Sequence, residues 1–181
     1  MMQHSFWKWD RVVSPEMCDM LLLYRQKKSE AQAFVDLGGS GVTDFKLRNS
    51  KVCWADPNHW SEAILYNHAL YANDQAGWNF DIGRPEPVQL ASYEVDGFYD
   101  WHVDWSPLNC EPLLRKISLS LLLSDPKDFE GGEFEIEGYD AIPLERGSII
   151  AFPSFLRHRV KPVTKGIRYS AVCWVNGPRT L

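Results

Sequence analysis

Long apolar runs are missing from this 181-residue chain. No stretch approaches the roughly 20 apolar residues that a membrane-spanning helix needs, so no membrane partner is expected. An excess of positive charge is missing too. The 19 Lys and Arg are outnumbered by 24 Asp and Glu, for a formal net charge of −5, which argues against a nucleic-acid or anionic-membrane binder. Cysteine is sparse: Cys18, Cys53, Cys110 and Cys173 stand apart, with no Cys-x-x-Cys pair. That spacing predicts free thiols in a reducing cytoplasm. The opening residues, Met1 to Phe6, lack the charged and then apolar pattern of a signal peptide, which fits the same expectation. There is no internal repeat or low-complexity tract. Length and composition lead us to expect one domain, and a monomer.

What is present changes character along the chain. Phe6–Val13 reads as a strand that stops at Ser14-Pro15, a good N-cap followed by a good first helical residue. Met17, Met20, Leu21 and Tyr24 then recur at helical spacing, predicting a helix to about Lys28. Residues Ala31–Lys46, with Gly38-Gly39-Ser40-Gly41, read as a mobile loop and a candidate lid. Arg48–Trp54 reads as one strand, and Asp56-Pro57 opens a second helix through Tyr71. His59 and His68 on that helix are nine residues apart without a carboxylate pair, so packing roles are expected for both. From Pro85 onward short strands follow one another: Val88–Val95, Tyr99–Val103, Arg115–Leu123, Gly132–Ile136, Ser148–Phe152, His158–Val163 and Arg168–Val175. Seven to nine strands behind two helices predict a mostly β, double-sheet jelly roll.

Two pieces of this β region carry chemistry. In an extended strand, His102 and Asp104 project to the same side, and His158 can add a second imidazole from a distant strand. Two His and one carboxylate on one face of a metal leave other positions open, the arrangement suited to non-haem Fe(II) oxygenases. Arg168, ten residues past His158, is a fixed cation placed to hold a carboxylate. Ser170 lies two residues further, on the same strand face.

The ordered set has a wider frame. Tyr93…Gly97…Tyr99-Asp100-Trp101-His102-Val103-Asp104, then Leu122-Leu123-Ser124-Asp125-Pro126 and Phe129-Glu130-Gly131-Gly132-Glu133, lead to Pro153-Ser154-Phe155-Leu156-Arg157-His158-Arg159-Val160 and Gly166-Ile167-Arg168…Trp174. Together these motifs resemble the prolyl 4-hydroxylase-like branch of the Fe(II)- and 2-oxoglutarate-dependent oxygenases. The likeness is firm over about 87–176 and looser over 1–86. It implies a double-stranded β-helix core (jelly roll, cupin-like) on an N-terminal support. It also implies Fe(II), 2-oxoglutarate as cosubstrate and O2, with ascorbate as a reductant. His102, Asp104 and His158 would be the metal ligands. Arg168 would bind the 5-carboxylate of 2-oxoglutarate, with Ser170 or Ser120 as its partner, because Leu122 stands where some relatives place a tyrosine. Tyr93 would meet the other end of the cosubstrate.

Arg48, Tyr99, Arg115 and Trp174 resemble the residues that meet the substrate. Trp101 and Val103 fall on the opposite strand face, so packing is expected of Trp101. The resemblance therefore implies a prolyl hydroxylase (procollagen-proline 4-dioxygenase-like) acting on a proline-containing peptide or protein. It would couple hydroxylation to decarboxylation of 2-oxoglutarate to succinate and CO2. Asp104 favours hydroxylation over halogenation, since related halogenases carry a small residue there. Two other readings stay open: hydroxylation of a free amino acid or other small molecule, and a non-catalytic metal or 2-oxoglutarate sensor. A nucleic-acid demethylase is disfavoured, because Trp174 takes the place of a second arginine.

Overall fold

The computed structural model describes residues 3–33, 35–36, 41–42, 44–105 and 113–179. In chain order the elements are β1 (Trp7–Trp9), α1 (Pro15–Gln26), β2 (Ala31–Gln32), β3 (Val35–Asp36), β4 (Gly41–Val42), β5 (Arg48–Asn49), β6 (Lys51–Trp54) and α2 (Trp60–Gln75). The strand-rich part follows with β7 (Gln89–Tyr93), β8 (Phe98–His102), β9 (Leu113–Leu122), β10 (Phe129–Gly131), β11 (Phe134–Ile136), β12 (Ile149–Pro153), β13 (His158–Val160), β14 (Val163–Gly166) and β15 (Arg168–Pro178).

Seven strands form an antiparallel sheet in the order β1-β12-β9-β15-β7-β6-β2, and four form a smaller one, β11-β13-β8-β5. The period-two alternation of side chains explains why they stack. Ile150 and Phe152 of β12, with Ala91 and Tyr93 of β7, face Phe134, Ile136 and Val160 of the smaller sheet. The alternate residues Leu119 and Leu121, Ile149 and Ala151, and Ala171, Cys173 and Val175 point the other way, onto Cys18 and Leu21 of α1 and Leu65, Ala69 and Ala72 of α2. One large sheet thus serves two cores, one against the helices and one against the smaller sheet. This is the expected jelly roll.

The boundaries differ from expectation in places that matter. The first strand shrinks to β1, and α1 is capped as predicted, with Ser14 Oγ accepting from the Met17 N–H at 3.4 Å. The second helix starts at Trp60 rather than at Asp56-Pro57, because the His59 side chain caps it by accepting from Ser61 N–H. The expected strand Arg48–Trp54 is broken at Ser50. Residues 48–49 pair with β8 in the smaller sheet, while 51–54 pair with β7 in the larger. Buried Ser50 makes the crossing, with its carbonyl accepting from Ala33 N–H at 2.9 Å. The expected loop Ala31–Lys46 contains three short strands, β2 pairing with β6 and β3 with β4. Its residues 34, 37–40 and 43, which include Gly38 and Gly39, lie outside the described residues, as does Cys110.

Candidate active site

The interior between the sheets opens into a cavity of about 430 Å³, mouth included. His102, Asp104 and His158 line it, and the larger sheet adds Gln89, Tyr93, Ser120, Arg168, Ser170 and Trp174. Cross-strand register makes the assembly: His158 of β13 sits opposite His102 of β8, and Arg168 of β15 opposite Tyr93 of β7.

The three candidate ligands converge, with their donor atoms within 4.8 Å of one another. His102 Nε2 is 3.6 Å from Asp104 Oδ1, and His158 Nε2 is 3.4 Å from Asp104 Oδ2. Each imidazole has its other nitrogen on a backbone carbonyl, His102 Nδ1 on Asp100 at 2.7 Å and His158 Nδ1 on Leu156 at 2.9 Å. A carbonyl only accepts, so both Nδ1 atoms carry the proton and both Nε2 lone pairs face the cluster, as metal ligation requires. Burial, and then the neighbouring His102, lower the His158 pKa to about 4, so that ring is neutral at physiological pH. Burial alone would raise the Asp104 pKa, but the two imidazoles outweigh it and hold the carboxyl well below its usual range. Two imidazoles and one carboxylate, with cavity beyond them, fit a divalent iron with open positions.

The strand-face argument for His102 and Asp104 needs correcting. β8 ends at His102, and Asp104 lies past it in a bend, held by donating its N–H to Ser154 carbonyl at 3.0 Å. Trp101 does lie on the packing face, with the Arg159 guanidinium 4.5 Å from its ring centroid.

Arg168 is 2% exposed, its guanidinium is 5.6 Å from the Tyr93 ring centroid, and its Nη1 has no hydrogen-bond partner. Among the described residues no carboxylate pairs with it. An unpaired buried cation is costly, and burial lowers its pKa for that reason. A carboxylate ligand would relieve it. Gly132 makes the space: it has φ of +65°, and a Cβ there would stand 2.9 Å from Arg168 Cδ. Ser120 and Ser170 are buried in the same lining.

Of the four expected substrate residues, three line the cavity. Tyr99 lies flat against the His102 ring (interplanar angle 8°) and burial raises its pKa, so it stays a phenol. Arg48 is buried, donating from Nε to Ser50 Oγ at 2.8 Å and from Nη2 to Gln89 Oε1 at 2.9 Å. Trp174 is buried with its indole N–H unpartnered. Arg115 is not in the lining. It stands behind Trp174, 3.8 Å from that ring's centroid, and donates from Nε and Nη2 to both oxygens of Glu86 at 2.7 Å.

Sequence reasoning missed Gln89, Glu86, Ser118 and Ser154. A signal existed for the serines: Ser118 and Ser120 interrupt an apolar strand at alternate positions, which marks a polar demand on one buried face.

A double-stranded β-helix with a His-Asp-His cluster and a buried, unpaired arginine in one cavity fits the class of Fe(II)- and 2-oxoglutarate-dependent oxygenases. Residues 88–176, which carry all four of these side chains, match the 2OG-Fe(II) oxygenase superfamily. The chain is 44% identical over 98 residues to a PKHD-type hydroxylase of Gloeothece citriformis, a match covering 51% of this chain and 44% of that protein. It is 39% identical over 95 residues to one of Teredinibacter turnerae, covering 49% and 42%. The chain thus spans less than half the length of these curated relatives.

Among solved structures, the 2OG complex of a viral collagen prolyl hydroxylase from Paramecium Bursaria Chlorella virus-1 superposes with a TM-score of 0.76 at 22% identity, covering 96% of this chain and 97% of that one. A Pseudomonas putida prolyl-4-hydroxylase gives 0.74 at 18%, covering 98% and 94%. A Trichoplax adhaerens prolyl hydroxylase, solved with a hypoxia inducible factor peptide fragment, gives 0.72 at 19%, covering 94% and 83%. These likenesses are of fold. No helix among the described residues is long and apolar enough to cross a membrane.

Proposed function

We propose that the chain is an Fe(II)- and 2-oxoglutarate-dependent hydroxylase whose target is a prolyl residue in a peptide or protein. The observation that carries this reading is Arg168: a buried guanidinium with an unpartnered Nη1, in the same cavity as three converging metal donors. His102, Asp104 and His158 hold the iron. Arg168, with Ser170 or Ser120, binds the 5-carboxylate of 2-oxoglutarate, and Tyr93 meets the cosubstrate's other end. When bound, iron and cosubstrate supply the oxidation, turning 2-oxoglutarate and O2 into succinate and CO2 while one oxygen atom enters a substrate C–H bond.

The chain's own residues bind, orient and exclude water. Tyr99 and Trp174 offer flat faces to a pyrrolidine ring, and the Trp174 indole N–H can donate to a peptide carbonyl. Arg48, braced by Ser50 and Gln89, keeps a fixed orientation at the wall. Arg115 supports Trp174 from behind, a different role from direct substrate contact. Ascorbate is assigned as the reductant that recovers enzyme after uncoupled turnover.

The reading is supported by the prolyl hydroxylase folds it resembles and by the matched hydroxylase family. It is tested by incubating the iron-loaded protein with 2-oxoglutarate and Pro-containing peptides, then measuring succinate and a peptide product heavier by one oxygen atom. His102→Ala should bring both to background without unfolding the protein. Full activity in that variant would end the assignment, and succinate without any oxidised product would favour a sensor.

A further inference from the structure

The strand that would carry Asp104 stops at His102, so β geometry does not orient the carboxylate. Two hydroxyl groups do, one from β9 and one from the turn after β12. Ser118 Oγ donates to Asp104 Oδ2 at 2.7 Å and lies 2.8 Å from Ser154 Oγ. A hydroxyl has one proton, and Ser118 commits its own to the carboxylate, so Ser154 must donate to Ser118. Both serines are buried, at 1% and 0% exposure, where such a chain is polarised and strengthened. Ser154 also fixes the backbone: its carbonyl accepts from the N–H groups of Asp104 at 3.0 Å and Trp105 at 3.1 Å, and its own N–H donates to Lys116 carbonyl at 3.0 Å.

We propose that Ser118, which donates to Oδ2, and Ser154, which donates to Ser118, are positioning residues that leave Asp104 to offer Oδ1 as a one-oxygen ligand. This rests on the metal-site reading above. A carboxylate left free to turn could bind through both oxygens and fill a position that cosubstrate or O2 requires. The serines hold the protein's donor count at three. They also link Asp104 to the β12–β13 turn that presents His158, so both halves of the site share one support.

The test uses the metal-free 181-residue chain titrated with Mn(II) or Co(II) alone, without cosubstrate. Ser118→Ala should weaken Mn(II) binding by about 10- to 100-fold, the usual range for losing a hydrogen bond to a ligand, and should change the Co(II) visible spectrum as the carboxylate becomes two-oxygen. Ser118→Thr, which keeps the hydroxyl, should restore affinity to within about threefold. Ser154→Ala should alter the spectrum in the same sense, and it provides the second arm if a Ser118 variant does not fold. Wild-type affinity together with an unchanged Co(II) spectrum in Ser118→Ala would overturn the proposal. So would equal weakening by Ala and Thr accompanied by equal losses of metal-free thermal stability, which would mean packing alone. A wild-type protein that binds neither metal would overturn the metal-site reading along with it.

Discussion

Arg168 is the residue on which the proposed cosubstrate site depends most. Its charge is buried, its Nη1 has no partner, and no acid among the described residues compensates it. Replacing it with alanine leaves the 5-carboxylate without its cation, a loss of about 2–4 kcal/mol in a buried site. Equilibrium binding of 2-oxoglutarate to Arg168→Ala should therefore weaken by roughly 30- to 1000-fold, with Mn(II) affinity retained. An unchanged cosubstrate affinity would point to another anchor. His158 makes a second prediction, for metal-free protein. Its folded pKa is near 4, while an unfolded histidine titrates near 6.5. Between those values the unfolded chain binds a proton that the folded chain does not. Stability is thus fully present above about pH 6.5 and falls as pH drops toward 4, by on the order of 3 kcal/mol. The depressed carboxyl of Asp104 adds a loss of the same sign at still lower pH. Urea midpoints measured in chelator from neutral pH to about pH 4.5 check this, and a flat profile would contradict it.

At the scale of elements, residue types that chemistry demands were legible in the sequence, while the geometry that joins them was less so. The His102, Asp104, His158 and Arg168 set could be read because few other purposes need those types in that order. The shared strand face was the wrong reason for the first two to meet, since β8 ends one residue after Trp101 and the β12 turn holds Asp104. Ser50 hid a change of sheet inside what reads as one β run, because local pattern does not say which neighbour a strand will pair with. His59 displaced the helix start expected at Asp56-Pro57 because its side chain caps the helix at Trp60. Arg115 matched a pocket position by sequence, but only the fold reveals Glu86 beside it. Gly132 is the element-scale case that can be tested. Its positive φ and the 2.9 Å approach to Arg168 leave no room for a Cβ, and the backbone conformation alone costs a non-glycine residue about 1–2 kcal/mol. Gly132→Ala should push Arg168 aside and weaken 2-oxoglutarate binding, while Mn(II) binding, which depends on other strands, stays near wild type. Equal loss of both would mean the turn supports the whole sheet rather than the arginine.

Across the whole molecule, the arrangement of charge around the cavity bears on what it accepts. The lining holds two cations, Arg48 and Arg168, and one carboxylate, Asp104, which is committed to the imidazoles and Ser118. Glu86 is held behind Trp174 by Arg115 and is not in the lining. A free amino acid would therefore bring an ammonium group with no anionic partner on the described walls. Within a peptide the same nitrogen is an uncharged amide, and the neighbouring carbonyls find the Trp174 indole N–H and Arg48. Leaving one charged group without a partner costs about 1.5–3 kcal/mol, which corresponds to roughly ten- to a hundredfold in affinity. Pro-containing peptides with blocked ends should accordingly stimulate succinate release at least about tenfold more efficiently than free proline. Trp174→Ala should cut peptide turnover sharply while 2-oxoglutarate binding and peptide-independent succinate formation persist, because Arg168 and the three donors are untouched. The measurement is succinate formed per unit time across matched concentrations of peptide and free proline. A ranking with free proline ahead would defeat the peptide reading and leave the oxygenase chemistry in place.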